Sequence, residues 1–349
     1  MVILLAALVL GGLAWLAWRN RGNDARAGGA PPGFPDRPFG GEPIPREQLP
    51  QGRIIVSGLT KEYSGGNAVD GLSFVAEPGR VTGFLGPNGA GKTTTLRMLL
   101  NLVEPTAGTA TIGGVRYADL DQPIRRVGGV LEVSAAHKGR TGRDHLRIIC
   151  VAAGIPLARA EEVLELAGLT KAASQMVRGY SLGMRQRLGV AAALLGDPQV
   201  LIFDEPANGL DPEGIRWMRD LLRALAAHGR TILVSSHLLA EMEQLADDLI
   251  IIAAGRLIAQ GTVASVIGSM AHVSRTLVRT PEVEKLAAAL GSATVTPAGD
   301  GDVYITGAGA IAIGDAAQRA GIAIHQLVTQ RPDLEAAFLK LTAGKAAIR

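Results

Sequence analysis

The chain has 349 residues, room for one large domain and a small one, and its formal charge of +3 is too mild to argue for a nucleic-acid partner. Cys150 is its only cysteine, which excludes an internal disulfide and fits a reducing compartment. Residues 1–18 carry no charge and are almost wholly apolar. As a helix they would rise about 27 Å, marginal against a hydrocarbon core of ~30 Å. Trp15 and Trp18 close the run and Arg19 and Arg21 follow, the order of an interfacial belt and a positive-inside flank. This predicts a transmembrane anchor over 1–19, with its N-terminus outside and the remaining chain in the cytosol. The lack of Lys or Arg ahead of the run argues against a cleaved signal peptide. A reported start upstream of the true one is the open alternative. Residues 20–51, rich in Gly, Pro and Arg without periodicity, read as a disordered linker.

Residues 53–57 and 72–75 alternate like strands of a small antiparallel sheet, with Tyr63 in a loop between them. Residues 81–85 read as a strand and 93–100 as the start of a helix. Between them lie Gly86, Pro87, Asn88, Gly89, Ala90, Gly91, Lys92, Thr93 and Thr94, which fit the phosphate-binding pattern G-x-x-x-x-G-K-[ST] in the context it requires. The glycines let successive N–H groups point at one anion, and the helix N-terminus adds positive charge. Lys92 would reach the β- and γ-phosphates of a nucleotide, and the Thr93 hydroxyl would ligate Mg²⁺. Downstream, residues 104–108 form a turn, and 109–112 with Gly113 and Gly114 give a hairpin signal. Residues 125–131 read as a strand ending at Glu132, and 135–173 as helical.

The stretch 180–212 organises the rest. Ser181 is a good N-cap for a helix running through Leu188 and Val190 to Leu194, and Asp197-Pro198 breaks it. Residues 200–203 are a continuous apolar run, as in a strand of a parallel sheet covered on both faces. Asp204 and Glu205 follow at its carboxyl end, where open α/β sheets place their chemistry. Two adjacent carboxylates there need a cation or a reaction to explain them. A further strand over 231–234 leads into Ser235, Ser236 and His237.

Over residues 54–265 these pieces, in this order, resemble the ATP-binding cassette (ABC) family. The resemblance implies an α/β fold: a P-loop NTPase with a mostly parallel core sheet, a small antiparallel subdomain and a helical subdomain. It implies that Tyr63 stacks on adenine and that Glu132 stands at the Q-loop, touching Mg²⁺ and the attacking water where the family more often has glutamine. Tyr180-Ser-Leu-Gly-Met184 is similar to the signature motif, keeping Ser181 and Gly183 but departing from LSGGQ at Tyr180, Leu182 and Met184. Residues 201–205 are similar to Walker B plus the catalytic glutamate, 209–212 to the D-loop, and 235–237 to the H-switch. By that likeness Asp204 holds Mg²⁺ through water, Glu205 orients and deprotonates the attacking water, and His237 hydrogen-bonds the γ-phosphate. Lys92 and the donated signature helix neutralise charge on the phosphoryl group. Ser181 and Gly183 close over ATP held by a second copy, so the working unit is a head-to-tail dimer that Asp211 ties together.

Beyond the cassette, strands over 274–279, 293–296, 303–306 and 322–328 and helices over 281–290, 314–320 and 333–341 predict a small α/β accessory domain. The expected division is therefore 1–19, 20–51, 52–270 for the ATPase and 271–349 for the accessory domain. Gly307-Ala-Gly309 is no nucleotide fingerprint, lacking the third glycine and the strand–helix context. The ending 331–338 resembles the tail of daunorubicin- and bacitracin-type export ATPases. The reading is an ATP-hydrolysing subunit of an ABC transporter, acting at the cytoplasmic face of the membrane through a separate multi-helix permease. The runner-up is a membrane-associated regulatory ABC ATPase that acts mechanically on a partner without moving a substrate. A chromosome-associated ATPase of the superfamily would need long heptad arms between Lys92 and Ser181, and there is no room for them.

Overall fold

The computed structural model describes residues 52–131, 136–268, 275–299 and 302–330, with 334, 335 and 338. The anchor and linker expected over 1–51, Glu132 with its expected Q-loop role, and most of the tail lie outside these residues. The chain divides into two compact units, one ending at Gln260 and one beginning at Gly261.

In the first unit, β1 (Ile54–Tyr63), β2 (Gly66–Ala76), β3 (Val81–Leu85) and α1 (Lys92–Leu99) come first. Next are β4 (Ala107–Ile112), β5 (Val127–Val130), α2 (Gly142–Ala153), α3 (Ala158–Leu166) and α4 (Leu182–Leu194). They are followed by β6 (Val200–Asp204), α5 (Pro212–Ala227), β7 (Thr231–Ser236), α6 (Leu239–Leu245), β8 (Asp248–Ala253) and β9 (Arg256–Thr262). An antiparallel sheet has the order β2-β1-β4, and a six-stranded sheet the order β5-β6-β7-β3-β8-β9. β3 lies parallel to β7 and β8, and β6 parallel to β5 and β7. Every residue of β3, β6 and β7 is buried, which is why 200–203 reads as a continuous apolar run rather than as alternation. One core joins Ile54, Leu72 and Phe74 of the antiparallel sheet to Phe84, Ile202 and Leu233 of the parallel one, with Leu96 and Leu99 of α1. The Phe74 and Phe84 rings meet at 5.4 Å between centroids.

Several expectations are corrected. Tyr63 is not in a loop: it is the last residue of β1, paired with Gly66 across a tight hairpin. Gly113-Gly114 turns the chain only as far as an isolated Ile112–Val115 bridge, and β4 takes β1 as its strand partner. The strand expected from 125 starts at Val127, because Pro123 opens one helical turn over Pro123–Arg126. The helical stretch over 135–173 divides into α2 and α3, where Gly154 caps α2 in the left-handed region and Pro156 follows.

His145, on α2, is pushed down to about 4 by burial, with Arg140 adding to the effect. The folded state therefore holds it neutral, whereas the unfolded chain protonates it near 6.5. Stability from this site is complete above about pH 6.5 and is lost as pH falls toward 4, by up to about 3 kcal/mol. Thermal melts at about pH 7.5 and about pH 4.5 should show a smaller acid loss for His145→Gln than for the wild type. Equal losses would remove His145 as a source of acid sensitivity.

The second unit contains α7 (Val263–Gly268), β10 (Arg275–Arg279), α8 (Val283–Leu290), β11 (Thr294–Gly299), β12 (Asp302–Thr306), α9 (Ala310–Ala320) and β13 (Gln326–Gln330). Its sheet is antiparallel with the order β11-β12-β10-β13. From β10 onward the chain order β-α-β-β-α-β with that pairing is the ferredoxin-like split βαβ arrangement. Leu286 and Ile313 of its helices pack with Val278, Val303 and Ile305 of its sheet. Against expectation, α9 begins at Ala310 with Gly314 inside it, and the last strand begins only at Gln326. Of the helix expected over 333–341, only Leu334, Glu335 and Phe338 are described, all helical.

Candidate active site

The parallel sheet delivers the site to the carboxyl ends of β3, β6 and β7. After β3 the chain passes through residues 86–91 into α1. Gly91 takes φ +101, and a Cβ there would sit 2.4 Å from the Ala68 carbonyl oxygen, so only glycine lets the loop close onto β2. Ala90 N–H donates to Pro87 O at 3.1 Å, and Gly255 N–H donates to Ala90 O at 3.0 Å, which pins the loop to the turn after β8. Lys92 folds back over this loop, donating to Gly86 O at 2.7 Å and Pro87 O at 3.4 Å. Burial pulls the Lys92 ammonium below its usual range, opposed by Glu205 and Asp204.

Thr93, in the first turn of α1, donates its hydroxyl to Asp204 Oδ2 at 2.7 Å. The other carboxylate oxygen of Asp204 accepts from the Ser235 hydroxyl. Glu205 leaves β6 with φ +52, a left-handed conformation costly for a residue with a side chain and concentrated at functional sites. Its N–H is shared between Ser235 Oγ at 3.0 Å and Ser235 O at 3.2 Å, which fixes this turn. The Glu205 carboxylate then spans the site: Oε1 lies 3.8 Å from Lys92 Nζ, and Oε2 is 2.7 Å from His237 Nδ1. A hydrogen bond from Nδ1 to a carboxylate puts the ring proton on Nδ1.

Lys92, Thr93, Asp204, Glu205 and His237 thus come together, as the sequence expectation requires. Ser235, which holds both acidic residues, enters the sequence reading only as the start of the 235–237 stretch; a serine at the end of an apolar strand is the signal for more. Tyr63 stands apart at the end of β1, about half exposed, with Lys61 Nζ 5.3 Å from its ring centroid. Ser181 caps α4, its hydroxyl accepting from Met184 N–H at 3.1 Å. Gly183, the second residue of the same helix, lies against residues 209 and 210 rather than against Lys92. Asp211 caps α5, accepting from Gly214 N–H at 2.9 Å.

The donor set suits a small, hard cation: one hydroxyl and one carboxylate, side by side and already oriented by Ser235. Among the described residues no cluster of three or more His, Cys, Asp or Glu could hold a metal. The Thr93 hydroxyl and the Asp204 carboxylate are the kind of protein contribution Mg²⁺ asks for when phosphate and water supply the remaining ligands.

A site of this kind, with a P-loop lysine facing an acidic pair across a parallel sheet, defines a P-loop NTPase. Comparison makes the class specific. The profile described as "ABC transporter" matches residues 69–208, and a domain of unknown function matches 274–335. The chain is 46% identical over 208 residues to the bacitracin transport ATP-binding protein BcrA of Bacillus licheniformis, covering 59% of this chain and 68% of that protein. It is 36% identical over 307 residues to the daunorubicin resistance ATP-binding protein DrrA3 of Streptomyces coeruleorubidus, covering 83% of this chain and 95% of that one. A solved ATP-binding subunit of an ABC transporter superposes with a TM-score of 0.58 at 31% identity, covering 62% of this chain and 92% of its own. The chain belongs to the family of ABC transporter ATP-binding proteins: it is an ATP-binding subunit and an ATPase. Subunits of this family dimerise and pair with a membrane permease. Among the described residues no helix is long and apolar enough to cross a membrane.

Proposed function

We propose that this chain drives export of an antibiotic-like compound through a separate permease, using ATP hydrolysed at two sites shared head to tail between two copies. The assembly of Lys92, Thr93, Asp204, Glu205 and His237 at one sheet edge, with Ser181 capping a different helix, carries this reading. Ser181 and Gly183 would serve the site of the second copy. The relatives' names, bacitracin transport and daunorubicin resistance, support the cargo class and the outward direction. Residues 52–270 would be the ATPase domain and 271–349 an accessory domain, with 1–19 as anchor and 20–51 as linker at the cytoplasmic face of the membrane.

In this mechanism the loop 86–91 wraps the phosphates with its backbone N–H groups, and Lys92 swings from the Gly86 and Pro87 carbonyls onto the β- and γ-phosphates. Thr93 Oγ1, and Asp204 through water, would hold Mg²⁺, which offsets phosphate charge when bound. Glu205 accepts the proton of the attacking water, its carboxylate held between Lys92 and His237. His237, hydrogen-bonded to Glu205 through Nδ1, would hydrogen-bond the γ-phosphate. Tyr63 would stack on adenine, Glu132 would face the attacking water, and Asp211 would reach across the dimer.

The test is a membrane pull-down of the tagged full chain, as wild type and Glu205→Gln with ATP, read by mass spectrometry. A co-purifying polytopic protein is expected. Recovery of soluble partners alone would sink the transport reading while leaving the ATPase intact, and a membrane partner with no transport activity would favour the regulatory alternative.

A further inference from the structure

At Leu182 the signature carries a bulky side chain where the common motif has glycine, and that side chain has a specific seat. Gly209 holds φ +78, and a Cβ on it would lie 2.1 Å from Leu182 Cδ2 and 2.5 Å from Cγ; its three nearest neighbours would all be Leu182 atoms. The leucine is therefore laid directly on the Gly209 backbone. One residue on, a Cβ on Gly183 would lie 3.4 Å from Gly209 O and 3.5 Å from Leu210 Cδ2. The first turn of α4 and the loop before α5 are in contact through these few atoms. Yet Leu182 is 47% exposed, so it is no part of the core.

The loop it touches begins at the catalytic glutamate. Asn208 N–H donates to Glu205 O at 3.2 Å, and Leu210 N–H donates to Ala207 O at 3.1 Å, two overlapping turns that tie 205–210 into one short segment. Asp211 then caps α5 and fixes the far end. On the other side of the contact, Leu182 is the first residue after Ser181, whose hydroxyl caps the same helix turn. A displacement of the Glu205 turn thus pushes on Leu182 and, through it, on Ser181, all within one subunit.

We propose that Leu182 is a positioning residue that couples the two ATP sites of the dimer: it makes the signature serine serving one site follow the loop behind the catalytic glutamate of the other. This rests on the head-to-tail reading above. With glycine at 182, Gly209 loses this side-chain cover and α4 keeps its hold on the loop only through the backbone at Gly183, a looser link. Coupling through such a two-position contact is a difference in free energy between sites, so it shows as cooperativity rather than as folding stability.

The test uses the full chain and reads three quantities: the melting temperature, the Hill coefficient of ATP hydrolysis, and the ATP-driven dimerisation of the Glu205→Gln background. For Leu182→Gly the expected result is an unchanged melting temperature, a Hill coefficient falling toward one, and a loss of site-to-site coupling of about 5-fold or more. Leu182→Met should retain the wild-type behaviour. Gly209→Ala should impair turnover by driving its Cβ into Leu182, and Leu182→Ala in the same chain should recover part of that loss. A wild type that neither dimerises nor cooperates overturns both the dimer reading and this inference. A cooperative wild type with an equally cooperative Leu182→Gly, or no recovery in the double variant, overturns this inference alone.

Discussion

Glu205→Gln is expected to lower ATP turnover by about 10²–10⁴-fold, the range for loss of a positioned general base, while ATP is still bound. Glutamine keeps the size and the acceptor oxygen of the glutamate, so the left-handed turn and its hydrogen bonds to Ser235 are untouched. What disappears is the capacity to take a proton at an atom placed between Lys92 and His237. The amide also cannot form the ion pair with Lys92, which frees the lysine for the phosphates. A trapped nucleotide state should therefore accumulate. Steady-state turnover with binding measured separately decides the matter: full turnover in Glu205→Gln would remove Glu205 from the chemistry.

Lys92→Ala is expected to lower turnover by about 10²–10³-fold, the usual effect of deleting one preorganised charge-stabilising donor, and to weaken ATP binding as well. The ammonium is buried and held below its ordinary range by desolvation, so it waits in a strained electrostatic position until phosphate charge arrives. Deleting it leaves the Gly86 and Pro87 carbonyls without this donor, at a cost of about 1–3 kcal/mol each if no water replaces it. Relief of the buried charge offsets part of that cost, so the melting temperature should move little compared with activity. ATP affinity and turnover equal to the wild type would contradict the assignment of Lys92 to the phosphates.

The parts legible in the sequence share one property: their signal is local. β3, β6 and β7 announce themselves because both faces are buried, and residues 86–94 because strand, glycine loop, Lys-Thr and helix are contiguous. Ser181 was readable as a cap for the same reason. The misreadings lie where a distant contact overrides a local preference. Tyr63 reads as loop because the turn residues Ser64, Gly65 and Gly66 follow it directly, and only its pairing with Gly66 places it on β1. Gly314 looked like a helix start, yet it sits mid-helix in a segment that closes on the sheet of the second unit. Ser235 and Leu182 stand in recognised stretches, but their partners do not: one acts on Asp204 and the other on Gly209, each far away in sequence. A carboxylate pair after a strand states that chemistry is near; only the fold states which hydroxyl holds it.

The most direct single measurement is the solution mass of Glu205→Gln with and without ATP and Mg²⁺. The account predicts a monomer that becomes a dimer holding two ATP molecules when nucleotide is added, and a return to monomer when Ser181 is replaced by arginine. A chain that binds ATP and stays monomeric in every case would contradict the shared-site mechanism at its root.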